Sequence, residues 1–164
     1  MKSAVDFNVS KLIRDTVPDV FDMMIAAVVV PTNTTAPLPA ERISGTVGIA
    51  GENVTGAVYL HLPHTLARQA TQAMLGDATG QNSGDNEIND VVGELTNMIA
   101  GALKSALCDA DRPCAVSTPS VIRGAFVVQA IPDLLVAQFF FLCLGQRMAV
   151  EVHLKFENTN PESL

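Results

Sequence analysis

Asp90, Glu94 and Asn97 are the polar residues of this chain whose spacing could do chemistry. At 3.6 residues per turn, Asp90, Glu94, Asn97, Gly101 and Lys104 fall in one helical stripe roughly 100° wide. Val91, Val92, Leu95, Met98, Ile99, Ala102, Leu103 and Ala106 cover the rest of the same helix. Such a helix is buried on most sides and shows water only its narrow stripe. Glu94 and Asn97 lie three apart, so their side chains point the same way, one turn from each other. An Asn amide offers both a donor and an acceptor and does not titrate, so it can fix a water. A neighbouring carboxylate can pair with a cation. The two form a candidate catalytic pair, and the plain alternative is an exposed helix face with no role.

Two further residues in that helix are unexpected. Gly93 and Gly101 are poor helix formers, each costing about 1 kcal/mol relative to Ala. Two such losses point to close approach, either by a neighbouring element or by a docked partner. Lys104, at the far end of the stripe, is a candidate contact for an acidic partner or a solvated lysine.

Other constellations fail. His61-Leu-Pro-His64 has H-x-x-H spacing, but Pro63 breaks the geometry and no third ligand lies close in sequence, so no metal site is expected. His153 falls in a strand and packs or meets solvent. Gly45-Thr-Val-Gly48-Ile-Ala-Gly51 has the wrong spacing for a dinucleotide loop. The Asp77–Asp85 stretch lacks the glycine and the closing glutamate of a calcium loop. No G-x-S-x-G and no Cys/His nucleophile arrangement is present.

Composition narrows the class. The 164 residues suffice for one domain, with residues 1–157 folded and 158–164 a flexible tail. Hydrophobic residues are 48% and charged residues 16%, so many positions must be buried in a core or an oligomer. The formal net charge of −7, without a basic cluster, argues against nucleic acid and against an anionic membrane surface. Trp is absent and Tyr59 is the sole Tyr, which leaves no base-stacking platform. Cys108, Cys114 and Cys143 are odd in number and lack C-x-x-C spacing, which fits reduced thiols in a cytosol. The Met1–Asp6 segment lacks the apolar core of a signal peptide. The longest apolar runs, 23–30 and 139–144, fall short of the ~20 residues of a spanning helix. A cytoplasmic location is expected.

Positioning elements follow from periodicity. Residues 7–28 carry helical spacing, with Pro18 early in a helix or beginning a second segment. Pro31 to Pro39 reads as a loop. Strands are expected at 43–50 and 54–62, then a helix over 64–75 ended by Gly76. Residues 76–86 read as a flexible loop, with Ser83 or Asp85 to cap the long helix and Glu87 in its first turn. That helix runs to about Leu107. After a loop with Pro113 and Pro119, strands are expected near 121–130, 134–144 and 147–156. The order of helix, proline loop and strand pair appears twice. The first helix holds Asp15, Asp19 and Asp22 at the spacing of Asp90, Glu94 and Asn97. This reads as a weak internal repeat. Asp22 stands where the second copy has Asn97 and cannot donate a hydrogen bond at neutral pH. The first copy is therefore expected to be silent, or its aspartates simply solvate an outer face.

The pattern Asp90-x-x-x-Glu94-x-x-Asn97, followed by Thr118-Pro119-Ser120, resembles the signature of the CheC/CheX/FliY phosphatases of bacterial chemotaxis. The words Gly93-Glu94-Leu95-x-Asn97-Met98-x-Ala100-Gly101 resemble the CheX branch most. The resemblance spans roughly residues 7 to 156. It implies an α+β (α/β two-layer) domain: a mostly antiparallel sheet with two long helices packed on it, in a pseudo-repeated CheC-like fold. It also implies hydrolysis of the phosphoaspartate of a CheY-type response regulator. Such hydrolysis has a loose transition state, so water placement and charge balance carry most of the effect. The resemblance implies that Asn97 orients the attacking water and that Glu94 contacts the partner's active-site lysine. Asp90 matches the first motif position as a supporting contact, and Asp90, Gly101 and Lys104 are candidate partner-binding residues. Pro119 shapes its loop. No cofactor of its own is expected; Mg²⁺ would belong to the partner. A homodimer is implied, and the apolar strand 138–144 has surface that needs cover.

The rival is a non-catalytic adaptor of the same fold that docks on a receiver domain or another chemotaxis protein, since fold alone does not give function. A third reading places the domain outside flagellar control, acting on a different response regulator.

Overall fold

Helix α1 (Val9–Ile25) starts where the Asn8 side chain accepts a hydrogen bond from the Lys11 amide at 3.0 Å. This cap satisfies one free donor of the first turn. The computed structural model describes residues 7–76, 84–129 and 131–157. Ile13, Val17, Val20 and Phe21 recur at helical spacing and are buried. The sequence places Pro18 early in a helix or at a break, yet α1 runs straight through it. Proline removes one intrahelical hydrogen bond, and the buried residues on both sides of it hold the helix together. Each such side chain contributes roughly 1.5–3 kcal/mol on burial, which outweighs the local loss.

The helix ends at Ile25, short of the expected residue 28, because Ala26 turns left-handed at φ 51°. The chain then forms β1 (Val29–Pro31), a strand where a loop is expected. Pro31 is tolerated there because β1 is an edge strand. Strands β2 (Arg42–Gly51) and β3 (Val54–Pro63) and helix α2 (His64–Leu75) match expectation closely. Gly76 closes α2 at φ 67°. Helix α3 (Asp85–Asp109) has Gly84 at its N-cap, so Asp85 is its first residue and not its cap. Ser83 lies outside the described residues, as do most of the loop before α3 and the tail 158–164. Asp85 and Glu87 put negative charge on the first turn, where the helix dipole favours it.

A second short strand, β4 (Cys114–Val116), also forms where a loop is expected. Of the strand expected over 121–130, only β5 (Ser120–Arg123) forms. Gly124 adopts φ 101° after donating to the Arg42 carbonyl at 2.9 Å, and the chain leaves the sheet there. Strands β6 (Leu135–Cys143) and β7 (Gln146–Phe156) complete the domain.

The strands form one sheet in the order β1-β6-β7-β3-β2-β4, with β5 also on β2, and every pairing is antiparallel. The order reads the same when β1 exchanges with β4, β6 with β2 and β7 with β3. Hydrogen bonds repeat too. Thr32 N donates to Phe140 O at 3.0 Å beyond β1, and Ser117 N donates to Gly48 O at 2.9 Å beyond β4. Both hairpins turn through two residues, Glu52-Asn53 and Leu144-Gly145. The expected internal repeat is therefore a pseudo-twofold arrangement in the sheet, with α1 and α3 as its matching helices.

Three helices pack on one sheet face, two of them long. Ile43, Val47, Ile49, Val58, Leu60, Val150, Val152, Leu154, Phe139 and Phe141 face them and are buried. The other face is polar and holds a cluster that the sequence reading missed. His61 and His153 are each the eighth residue of their strands, β3 and β7. Both are buried, and Glu151 sits between them. His153 Nε2 lies 3.0 Å and His61 Nε2 3.6 Å from the Glu151 carboxylate. Ser44 Oγ lies 2.7 Å from His61 Nδ1, and Gln138 donates to Glu151 at 2.8 Å. The neighbouring His61 imidazole holds the Glu151 carboxyl at about 2, against its desolvation, with the His153 and Gln138 hydrogen bonds helping. His61 thus faces the carboxylate on the outer face, while His64 begins α2, so the H-x-x-H pair is divided between two elements. Phe126 covers His61 and Tyr59, and Arg42 ties down the same segment by donating to the Phe126 carbonyl at 2.7 Å.

Gly45 sets how near α3 lies to β2. A Cβ built there would stand 2.0 Å from Thr96 Oγ1 and 3.2 Å from the Val92 carbonyl oxygen. Gly45→Ala should therefore lower stability by about 1–3 kcal/mol in urea titration. The further change Thr96→Ala should recover part of that loss. An unchanged midpoint in Gly45→Ala would show that α3 can back away freely.

Candidate functional site

Helix α3 presents the candidate site because its other sides are occupied. Ile88, Val91, Val92, Leu95, Ile99, Leu103 and Leu107 are buried against the sheet and the other helices. At roughly 1.5–3 kcal/mol each, their burial far exceeds the cost of two helical glycines. The stripe faces outward: Asp90 and Glu94 are exposed, and Asn97, Gly101 and Lys104 are half-buried. The structure thus brings all five expected residues onto one ridge. Asp90, Glu94 and Asn97 have no hydrogen-bond or ion-pair partner among the described residues. Their polar groups are free to engage something else.

The two glycines differ. A Cβ at Gly93 would meet Pro119 Cγ at 3.5 Å and Cβ at 3.7 Å, so the proline ring leans over the helix beside Glu94. These are ordinary van der Waals distances, so Pro119 is the neighbour nearest Gly93 but leaves room for a methyl group there. At Gly101 a Cβ would meet nothing within 4 Å, so no neighbouring element of the described residues explains that glycine.

Two attachments that the sequence reading missed hold the surroundings. Ser117 accepts from Gly48 N at 2.8 Å through its hydroxyl and donates to Gly48 O at 2.9 Å through its amide. This pins the Thr118-Pro119 loop to β2. Arg123, on β5, donates to Asn89 Oδ1 at 2.7 Å and to the Asp85 carbonyl at 3.1 Å. This fixes the first turns of α3 from the same edge. The only sequence signal for the latch was an Asn beside Asp90, which is too common to read alone.

The first-copy counterpart looks different. Asp15 pairs with Lys11 at 2.6 Å, and both are exposed. That pair is worth little in water. Asp22 is exposed, where Asn97 is half-buried. Among the described residues, no group of three or more His, Cys, Asp or Glu is placed to hold a metal ion. Among the same residues, no helix is long and apolar enough to cross a membrane.

An exposed polar ridge on a rigid helix suits a folded partner. A small ligand needs a concave site to be enclosed. The ridge can offer a carboxylate for a partner's cation and an amide for a water or a phosphoryl oxygen.

Known structures share this architecture. A CheX chemotaxis protein from Vibrio vulnificus superposes with TM-score 0.76 at 22% identity, covering 94% of this chain and all of that one. A CheX protein from Desulfovibrio desulfuricans gives TM-score 0.72 at 26% identity, covering 90% of this chain and 98% of that one. A chain from the CheX–CheY–BeF3–Mg²⁺ complex of Borrelia burgdorferi gives TM-score 0.65 at 17% identity, covering 91% and 99%. No curated protein matches the sequence. The family model described as "Chemotaxis phosphatase CheX" matches residues 43–130, a span holding α3, Glu94, Asn97 and Pro119. By that match, over more than half its length, the chain belongs to the CheX family of chemotaxis phosphatases.

Proposed function

We propose that this protein hydrolyses the phosphoaspartate of a CheY-type response regulator in bacterial chemotaxis. The observation that carries the reading is the pair Glu94 and Asn97, without a hydrogen-bond or ion-pair partner among the described residues, on the outward stripe of a helix whose apolar sides are buried. The Borrelia burgdorferi complex, in which a chain of this fold is bound to CheY with BeF3 and Mg²⁺, supports the class of partner. Asn97 orients the attacking water through its amide. Glu94 pairs with the lysine at the receiver's active site and anchors the two molecules. The Mg²⁺ belongs to the receiver, and this chain contributes no cofactor. Asp90 supports the contact from one turn earlier. Gly101 leaves open surface for close approach, and Lys104 meets an acidic rim on the partner. Pro119 keeps the adjacent loop in place by packing on Gly93. The reaction would take place in the cytoplasm, where response regulators are phosphorylated.

Phosphate release from a phosphorylated receiver of the same organism tests this. The wild-type protein should speed decay. Asn97→Ala should lose about 100-fold of that acceleration while still binding, because only water placement is removed. Glu94→Ala should act mainly on KM, because it anchors the partner. Asp22→Ala should leave turnover near wild type. Binding without any acceleration by the wild-type protein would make it an adaptor instead.

The same reading includes a homodimer. Leu135, Val136 and Leu142 on β6, Leu144 in its hairpin, and Val28 and Val30 beside and on β1 are exposed along one edge region of the sheet. Phe139, Phe141 and Cys143 of the apolar strand are already buried within the chain, so only its outward residues need cover. Sedimentation equilibrium should return twice the chain mass, and Leu142→Lys should shift it toward the monomer. A monomer at all concentrations would remove the dimer.

A further inference from the structure

The outer face of the sheet, away from the helices, carries a walled cleft of about 320 Å³. Its floor follows from strand register. Ser44, His61, Ala149 and Phe140 form one row across β2, β3, β7 and β6, and Tyr59, Glu151 and Gln138 belong to the next row. Residues two apart on a strand share a face, so Arg42 stands one row beyond Ser44 on the same side. Ala149 supplies only a methyl group between the His61 and Phe140 rings, and this leaves a hollow. Two coil segments wall it, and an arginine ties each down. Arg147 donates to the Ala36 carbonyl and, at 2.8 Å, to the Pro37 carbonyl. Arg42 donates to the Phe126 carbonyl at 2.7 Å. The Phe126 ring centre lies 5.5 Å from that of His61 and 5.9 Å from the Arg42 guanidinium carbon, so the three side chains meet at the cleft.

The polar groups of this cleft are incompletely satisfied. Arg42 Nε and His61 Nε2 are buried without a hydrogen-bond partner among the described residues, and His61 is 4% exposed. With Ser44 Oγ donating to Nδ1, the His61 proton sits on Nε2, the tautomer that a nearby carboxylate favours. The Glu151 oxygen 3.6 Å from Nε2 is too far to accept it well. Arg42 has no carboxylate partner among the same residues. Two buried donors without acceptors call for a ligand that brings acceptors. A carboxylate does so best, because its oxygens accept from both with charge assistance. Glu151 is ionised in the same cleft and would repel a simple anion, and the net charge of −7 adds to that. A cationic group on the ligand removes the conflict. We propose that the cleft binds a small zwitterion, a free α-amino acid with an apolar side chain. Its carboxylate lies between Arg42 Nε and His61 Nε2, its ammonium faces Glu151, and its side chain packs on Phe126 and Phe140. The cleft is on the sheet face opposite α3, so this inference stands apart from the phosphatase reading.

The test titrates the ¹⁵N-labelled full chain with L-leucine, with isocaproate, which lacks the ammonium, and with isoamylamine, which lacks the carboxylate. L-leucine should give saturable shifts at the amides of His61, Phe126, Ala149 and Glu151, and each analogue should bind about tenfold or more weakly. Ala149→Leu fills the hollow and should abolish the shifts, with a dispersed amide spectrum to show that it is folded. Glu151→Gln keeps the side-chain shape and should erase the preference for L-leucine over isocaproate, a readout that stands even where Ala149→Leu fails to fold. Isocaproate binding the wild-type protein as tightly as L-leucine would overturn the proposal, as would a preference that survives Glu151→Gln. Shifts confined to another surface would overturn it too, and so would no shift with any probe, which would leave ordered water as the only occupant.

Discussion

Helix α3 rests on β2 with no room for a methyl group at Gly45, and the rest of the molecule follows from that contact. Thr96 fills the space above Gly45 and returns its hydroxyl to the Val92 carbonyl at 2.7 Å, so that buried hydroxyl keeps a partner. The helix is then enclosed by sheet, by neighbouring helices and by the Pro119 ring. Only a narrow ridge remains in water, and it carries the few side chains that have no use inside. Chemistry on a surface ridge needs rigid support, because a small misplacement of a catalytic group costs much of its effect. Ser117 on Gly48 and Arg123 on Asn89 supply that support from the same sheet edge.

The pseudo-twofold arrangement shows how one copy differs from the other. Strand order, hairpins and the Thr32 and Ser117 hydrogen bonds correspond across it. The side chains do not. In place of Gly93 under Pro119, the first helix has Pro18, and in place of Glu94 and Asn97 it has Asp19 and Asp22. An ionised aspartate accepts but cannot donate, which is the role the amide of Asn97 would fill. The same symmetry brings His61 and His153 to equivalent places around Glu151 on the far face. The fold is therefore duplicated, while the α3 ridge belongs to one half.

Much of this was legible in the sequence where periodicity is strong. The apolar surround of α3, the bounds of α2, and the alternation in β2, β3 and β7 each follow from burial of one face. The stripe from Asp90 to Lys104 was legible for the same reason, because a nearly all-apolar helix leaves few polar positions to choose among. The elements that were not legible are held by distant partners. Strands β1 and β4 are three residues each and exist only because β6 and β2 offer open edges. The end of β5 depends on the φ of Gly124, and the unbroken α1 depends on packing around Pro18. The His61–Glu151–His153 cluster needs strand register, which no local pattern supplies.

The claim at the centre of this account is that the α3 ridge is the face that meets a phosphorylated receiver domain. Amide chemical shifts of the ¹⁵N-labelled protein, titrated with a beryllofluoride-activated CheY-type receiver and Mg²⁺, test it most directly. The account predicts changes concentrated at Asp90, Glu94, Asn97, Gly101 and Lys104 and in the Ser117–Ser120 segment. Changes concentrated on the polar outer face of the sheet or along β1 and β6, with the ridge unmoved, would contradict it.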